Sequence, residues 1–478
     1  MQQRKLYSKT ISFLSDLVTP VTTYLRLRES FSEILLLESA DSHSEDDARS
    51  FICIEPLLSF EVAEGKLTVK SQSGSQSDKQ TFELGLDLKL SQLLNELLQS
   101  FTAEPEQRNN PALGFFGFTS YDAVQCFESI NFQASSDPQT TLPLMRYALY
   151  RYVISVDHRS NLLSITENSF DAALESKHTL DSIKSIVCRN DYQLYDFKLS
   201  SPERSVRSES EMYELFSRAH HHIQRGDVFQ IVLSQRFQQK FQGDEFQVYR
   251  ALRSINPSPY LFYFDYVDYR IFGSSPESQL RIRNGQASIT PIAGTVRRAG
   301  IKQNDLALAE QLKADPKEQS EHVMLVDLAR NDLNRFCTAV KVEAYQQIEF
   351  FSHVIHLVSH VSGAIDLGRN SFEVFGSTLP AGTLAGAPKY KAMQLIDQLE
   401  GVSRSFYGGA VGFFGLNGEV EHAITIRSFL SKDKSLFYQA GAGVVAESTP
   451  QAEYQEIQAK LGALRLALKQ AQRGLCTV

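Results

Sequence analysis

The second half of this 478-residue chain is dominated by short runs of β-branched and aromatic residues. They read VFQIVLSQRF (228–237), YLFYFDY (260–266), FSHVIHLVSHVSG (351–363), GGAVGFFG (408–415), HAITIRSFL (422–430) and SLFYQAGAGVV (435–445). Runs of this kind, bounded by Gly, Pro and polar residues, predict strands. Each strand has an apolar face that another layer must cover. Helical patterns fall between and after them without regular strand–helix alternation; one runs from about Glu209 to Arg225 and stops at Gly226-Asp227. The expected class is α+β, with layered, largely antiparallel sheets.

The first half fits the same class. LLSFEVAEGKLTVKS (57–71) alternates on both sides of Glu64-Gly65 and predicts a hairpin. The polar SQSGSQSDKQ (71–80) that follows reads as a flexible loop. Leu90, Leu93, Leu94, Leu97, Leu98 and Phe101 recur at helical spacing, and GFFGF (114–118) and RYVISVDH (151–158) read as strands. A polar, Ser-rich stretch, LSSPERSVRSES (199–210), reads as a linker, dividing the chain into regions 1–195 and 205–470.

Composition narrows the function classes. A formal net charge of −8 gives no global attraction to nucleic acid or to an anionic membrane, so neither is expected as a partner. An anionic ligand would need local positive charge from a metal, arginines or backbone N–H groups. No apolar run reaches the ~18 residues of a membrane span, and MQQRKLYSKTISFLSDLV has no continuous apolar core of a signal peptide. Cys53, Cys126, Cys188, Cys337 and Cys476 are scattered, which fits reduced thiols in a cytoplasmic protein. Neither G-x-x-x-x-G-K-[ST] nor G-x-G-x-x-G is present, so nucleotide binding has no support.

Two acidic pairs invite a chemical reading. Glu318 and Glu321, and again Glu453 and Glu456, lie three apart on expected helices, so each pair aims two carboxylates from one face. A hard cation such as Mg²⁺ would relieve their repulsion. The alternative is a solvated face, since Lys317 and Lys460 stand four residues from Glu321 and Glu456. AGAG (440–443), following an apolar strand, and the Gly-rich 382–401 segment, with Pro388 near a helix start and Gly401 past its end, could bring backbone N–H groups to an anion. Turns and caps explain them equally well. His356, among alternating Val354, Val358 and His360, reads as a core histidine, and Arg427 inside ITIRSF requires a carboxylate from the protein or a ligand.

Taken in order, the segments are more specific. GDVFQIVLSQRF, NPSPYLFYF, GSSPESQL, PIAGT, SEHVMLVDLARNDL, HLVSHVSG, AGTLAGAPK, FYGGAVGFF, ITIRSF and QAGAGVVAESTPQAEY resemble the chorismate-binding enzymes. With TPVTTYLRLR, LLES, ARSFICIEP and GFFGFTSYDAVQCFE of the first half, the chain resembles anthranilate synthase component I nearly end to end. The resemblance implies two interlocked subdomains forming a sandwich of antiparallel sheets with helices outside. It implies Mg²⁺-dependent conversion of chorismate and ammonia to anthranilate and pyruvate, the first committed step of tryptophan synthesis. Ammonia would come from glutamine through a separate amidotransferase subunit, since no cysteine here lies in a Gly-x-Cys-x-Gly turn.

Residue by residue, the resemblance makes Glu321 and Glu456 the metal ligands, with Glu318 and Glu453 beside them. Gly294, Thr295, Tyr407, Arg427, Gly441, Ala442 and Gly443 match substrate contacts. His356 matches the acid that assists departure of the C4 hydroxyl, helped by Glu277 and Thr383. Ala293, in PIAGT, stands where the similar aminodeoxychorismate synthase component I enzymes, the alternative reading, carry a nucleophilic lysine. Gln230 stands where isochorismate and salicylate synthases carry a lysine that activates water. Ser39, Pro259, Tyr260 and Leu261 match a site for tryptophan as feedback inhibitor, although LLLES read alone only ends a strand. The chain itself has no tryptophan; an enzyme made when tryptophan is scarce gains from needing none, and chance is the plain alternative. TVRRAG (295–300), for the usual Thr-Arg-Pro-Arg-Gly, and Ala385, for serine, depart from the pattern.

Overall fold

The computed structural model describes residues 3–39, 49–73, 76–85, 89–104, 107, 110–172, 178–350 and 354–475. Two long strands, Arg49–Ala63 and Met145–Asp157, pair antiparallel along their length, and two sheets branch from them. One branch passes through Ile34–Glu38, Tyr260–Asp265, Tyr269–Ser275, Ser428–Lys432 and Ser435–Val444 to Gln230–Gly243. The other passes through Gly114–Thr119, Ala410–Gly415, Val420–Ile424, Ser278–Arg283 and Gln286–Ile289 to Val354–Ile365. Cys337–Phe350 and Ile292–Arg297 also pair with Val354–Ile365. All these ladders are antiparallel. Strands from both halves of the chain share each sheet, so the halves are interlocked.

An aromatic layer explains why the sheets stack. Phe51 and Phe116 from the first half of the chain and Phe262, Phe264, Phe413 and Phe437 from the second are buried between the two branches. Ring centroids of Phe116 and Phe413 lie 5.3 Å apart, and those of Phe51 and Phe116 5.6 Å, within the range of favourable aromatic pairs. Helices cover the outer faces. Leu90–Gln99 buries its leucines, as the spacing predicts, and Glu209–Gln224 starts at a Ser208–Glu211 capping box. Among the described residues no helix is long and apolar enough to cross a membrane.

The Glu64-Gly65 hairpin forms, with Ala63 opposite Lys66. Other readings need correction. SQSGSQSDKQ, apart from residues 74 and 75, which lie outside the described residues, is strand: Lys66–Ser73 and Gln76–Glu83 pair antiparallel, held by backbone bonds that polar side chains do not prevent. The 199–210 stretch carries the short strand Arg204–Ser205, paired to Gln230–Gly243. HAITIRSFL is two strands, Val420–Ile424 and Ser428–Lys432, broken before Ser428. Residues 351–353 of the expected 351–363 strand lie outside the described residues.

Candidate active site

The break in HAITIRSFL is where the candidate site is built. Arg427 has φ 50°, a left-handed conformation that a non-glycine residue adopts at a cost. Its Nη1 donates to the Lys460 carbonyl at 2.5 Å. Burial pushes the guanidinium down from its ordinary value, opposed by Tyr407, Glu456 and Glu277. Arg427 therefore does not lie within a strand as the sequence suggested. It leaves one strand to meet acidic groups from three other segments.

Glu277, between the Tyr269–Ser275 and Ser278–Arg283 strands, accepts a hydrogen bond of 2.9 Å from the Thr383 hydroxyl. Loss of hydration pushes its carboxyl up to about 7, while Thr383, Lys460 and Arg427 pull the other way. Thr383 lies in a single helical turn, Gly382–Leu384, of the Gly-rich loop. That loop leads into the helix Lys389–Glu400, which ends at left-handed Gly401.

The AGAG segment is the end of the Ser435–Val444 strand rather than a loop after it. Gly441 faces Ser234 and Gly443 faces Val232 across the ladder, with Ala442 between them. A Cβ on Gly441 would lie 3.0 Å from the Tyr407 hydroxyl, and one on Gly443 2.7 Å from Gln230 Nε2. The glycines thus let two polar side chains press against the strand. Lys460 Nζ, a group the sequence reading treated only as a surface ion-pair partner, donates to the Gly441 carbonyl at 2.9 Å.

His356 is buried, and its Nδ1 lies 3.3 Å from the Gly294 carbonyl. Burial pushes the imidazole down; the Gly294 carbonyl and Glu349 oppose this and Arg427 adds to it. Gly294, at an irregularity in the Ile292–Arg297 strand, has φ 68°, and a Cβ there would lie 2.9 Å from Glu318 Oε2, so this strand and that carboxylate are close neighbours. Ala293 is buried beside it. The Thr295 backbone is opposite His356; its side chain lies outside the described residues.

Glu318 and Glu321 lie on the helix Pro316–Asn334, and Glu453 and Glu456 on Pro450–Lys460. Glu456 forms the i,i+4 pair with Lys460 at 2.6 Å, while also contributing to the field at Arg427. The side chain of Lys317 lies outside the described residues. Among the described residues no group of three His, Cys, Asp or Glu side chains is placed to hold an ion. The donor chemistry still fits Mg²⁺, which typically takes one or two carboxylates plus water and substrate oxygens.

Ser39, Pro259, Tyr260 and Leu261 lie together. They line a cavity of about 800 Å³ at the edge of the aromatic layer, between the two halves of the chain. Phe51, Phe262 and Phe413 give it apolar walls; Arg49, Glu38, Glu349 and His360 give it charge or polarity. Glu38 is held by Tyr249 at 2.6 Å and Arg253 at 3.0 Å. The LLES segment contained Glu38, but only the fold shows that it reaches this wall.

A family model described as "chorismate binding enzyme" matches residues 36–465. Anthranilate synthase component 1 of Acetivibrio thermocellus is 36% identical over 97% of this chain and 95% of that protein. Its counterpart from Aquifex aeolicus is 34% identical over 96% and 94%. The crystal structure of anthranilate synthase component I from Streptococcus pneumoniae superimposes with a TM-score of 0.74 at 31% identity, covering 95% of this chain and 99% of that one. The menaquinone-specific isochorismate synthase of Escherichia coli shares the fold at 19% identity, with a TM-score of 0.73 and coverage of 98% and 95%.

Proposed function

Since the chain belongs to the chorismate-binding enzyme family, among relatives that are anthranilate synthase component 1, we propose that it converts chorismate and ammonia to anthranilate and pyruvate. The observation that carries the reading is the Glu277–Thr383 pair facing Arg427 and Lys460, a proton-holding carboxyl beside two cations. Arg427 and the Gly441–Gly443 strand end receive the substrate carboxylates. Ammonia adds at C2 while the C4 hydroxyl leaves, and pyruvate is then eliminated. The leaving hydroxyl needs a proton. Glu277, its carboxyl pushed up to about 7, holds one near neutral pH, whereas burial favours the neutral form of His356. An arriving dianion raises the imidazole, so its outward nitrogen can then donate.

Glu321 and Glu456, with Glu318 and Glu453 beside them, would hold Mg²⁺, which supplies positive charge for a substrate carboxylate. The nitrogen comes from outside, because the buried Ala293 has no amine to attack the ring. This argues against the aminodeoxychorismate synthase reading. Gln230, buried at the strand start, cannot serve as a base for water. A separate glutamine amidotransferase subunit supplies the ammonia in this reading. The 800 Å³ cavity takes tryptophan as inhibitor: it joins apolar walls to charged groups and spans both halves, so an occupant biases their arrangement. The test is incubation with chorismate, ammonium and Mg²⁺, following anthranilate by its fluorescence. Absence of anthranilate would reject the reading.

A further inference from the structure

Beside the site lies a buried ion pair whose two side chains have been given no chemical role above, although the Arg404 guanidinium carbon lies 5.9 Å from the centroid of the Tyr407 ring. Arg404 is 2% exposed and Glu400 1%. Arg404 Nε donates to Glu400 Oε2 at 2.8 Å and Nη2 to Oε1 at 2.6 Å. Two further N–H groups go to backbone: Nη1 to the Leu384 carbonyl at 2.6 Å and Nη2 to the Val232 carbonyl at 2.7 Å. Glu400 Oε1 also accepts from the Ser234 N–H and hydroxyl, each at 2.8 Å.

The segments joined in this way all carry proposed site residues. Leu384 follows Thr383 directly. Val232 lies two residues beyond Gln230 and opposite Gly443. Arg404 itself precedes Tyr407 by three residues, and its carbonyl accepts from the Tyr407 N–H at 3.2 Å. A buried pair of this kind contributes little net stability compared with apolar packing of similar volume. What apolar side chains could not do is satisfy two carbonyls from different segments and fix their separation.

We propose that Arg404, oriented by Glu400, is a positioning residue that holds Thr383, Gln230 and Tyr407 in register, and through Thr383 sets the Glu277 carboxyl against the substrate. The inference rests on the anthranilate-forming reading of the site. It concerns geometry needed as the C4 hydroxyl departs, so its loss lowers kcat and leaves KM for chorismate little changed.

The test uses the full chain, with chorismate, ammonium and Mg²⁺, in two variants. Arg404→Met together with Glu400→Gln removes both charges at once, leaving no lone buried ion. Arg404→Lys keeps the charge but cannot hold the carboxylate and both carbonyls with one planar fork. The expected result is a kcat roughly tenfold lower in the double variant and several-fold lower in Arg404→Lys, with KM within about twofold and a cooperative melting transition. Should the double variant not fold, the Lys variant decides alone. A folded variant of either kind with wild-type kcat overturns the inference, as does a loss confined to KM. An inactive wild-type chain would instead overturn the functional reading, so the two failures are distinguishable.

Discussion

The Thr383 hydroxyl lies 2.9 Å from the Glu277 carboxylate, across 106 residues of sequence. This contact closes the Gly-rich loop onto the sheet, and it acts directly on the carboxyl. A hydroxyl donating to a carboxylate favours the ionised form, while burial favours the protonated one. Burial wins here, and the carboxyl stands at about 7.

Glu277→Gln should lower kcat by roughly a hundredfold, because proton delivery to the leaving hydroxyl loses the carboxyl that assists His356. Its effect on stability has a definite sign. The native carboxyl holds its proton to about pH 7 against an ordinary value of 4.5, so protonation favours the folded state. That contribution is complete below about pH 4.5 and is lost as pH rises to about 7. The Gln variant should therefore be more stable than wild type at pH 8, on the order of 1–2 kcal/mol after allowing for solvent screening, and lose that advantage near pH 4.5. Melting curves at the two pH values measure this.

Thr383→Val removes the bond that favours ionisation. The Glu277 carboxyl should then rise above about 7, and the alkaline fall of kcat should move to higher pH. A pH–rate profile shifted toward acid would be the wrong sign.

Glu321→Ala and Glu456→Ala should each abolish turnover at sub-saturating Mg²⁺ while leaving the melting temperature nearly unchanged. The 2.6 Å Glu456–Lys460 pair is half-exposed, and such pairs contribute only about 0.3–0.5 kcal/mol. Activity measured across a Mg²⁺ titration, alongside a melting curve, separates lost metal binding from lost fold.

Ser39 follows the Ile34–Glu38 strand at the wall of the large cavity, which does not include Arg427 in its lining. A bulky or acidic replacement, Ser39→Phe or Ser39→Asp, should relieve inhibition by tryptophan with uninhibited kcat unchanged within about twofold. Full sensitivity in a folded variant, or joint loss of catalysis and inhibition, would remove the cavity from regulation.

The extent to which the sequence disclosed this site follows the range of the forces involved. Hairpin 57–71 and the leucine helix rest on neighbours within a few residues, so periodicity was enough. The polar 71–80 segment failed because strand pairing there uses backbone groups, to which composition is blind. The break at Arg427 was hidden because ITIRSF has strand composition on both sides; Tyr407, Glu456 and Glu277, whose charges act on the guanidinium, come from distant segments. Motif order singled out Glu277, Thr383 and His356 only through the family resemblance, and nothing local links Arg404 to Leu384 or Val232. Long-range assembly likewise put Lys460 at the Gly441 carbonyl and Glu38 at the cavity wall.

The most direct measurement gives the purified chain chorismate, ammonium and Mg²⁺ and identifies the product, with glutamine replacing ammonium in a parallel reaction. The expected outcome is anthranilate and pyruvate in equal amounts with ammonium, and no turnover with glutamine until an amidotransferase subunit is added. A 4-amino product that retains the enolpyruvyl group, or isochorismate, would contradict the account, because Ala293 and Gln230 would then not exclude the chemistry they are taken to exclude.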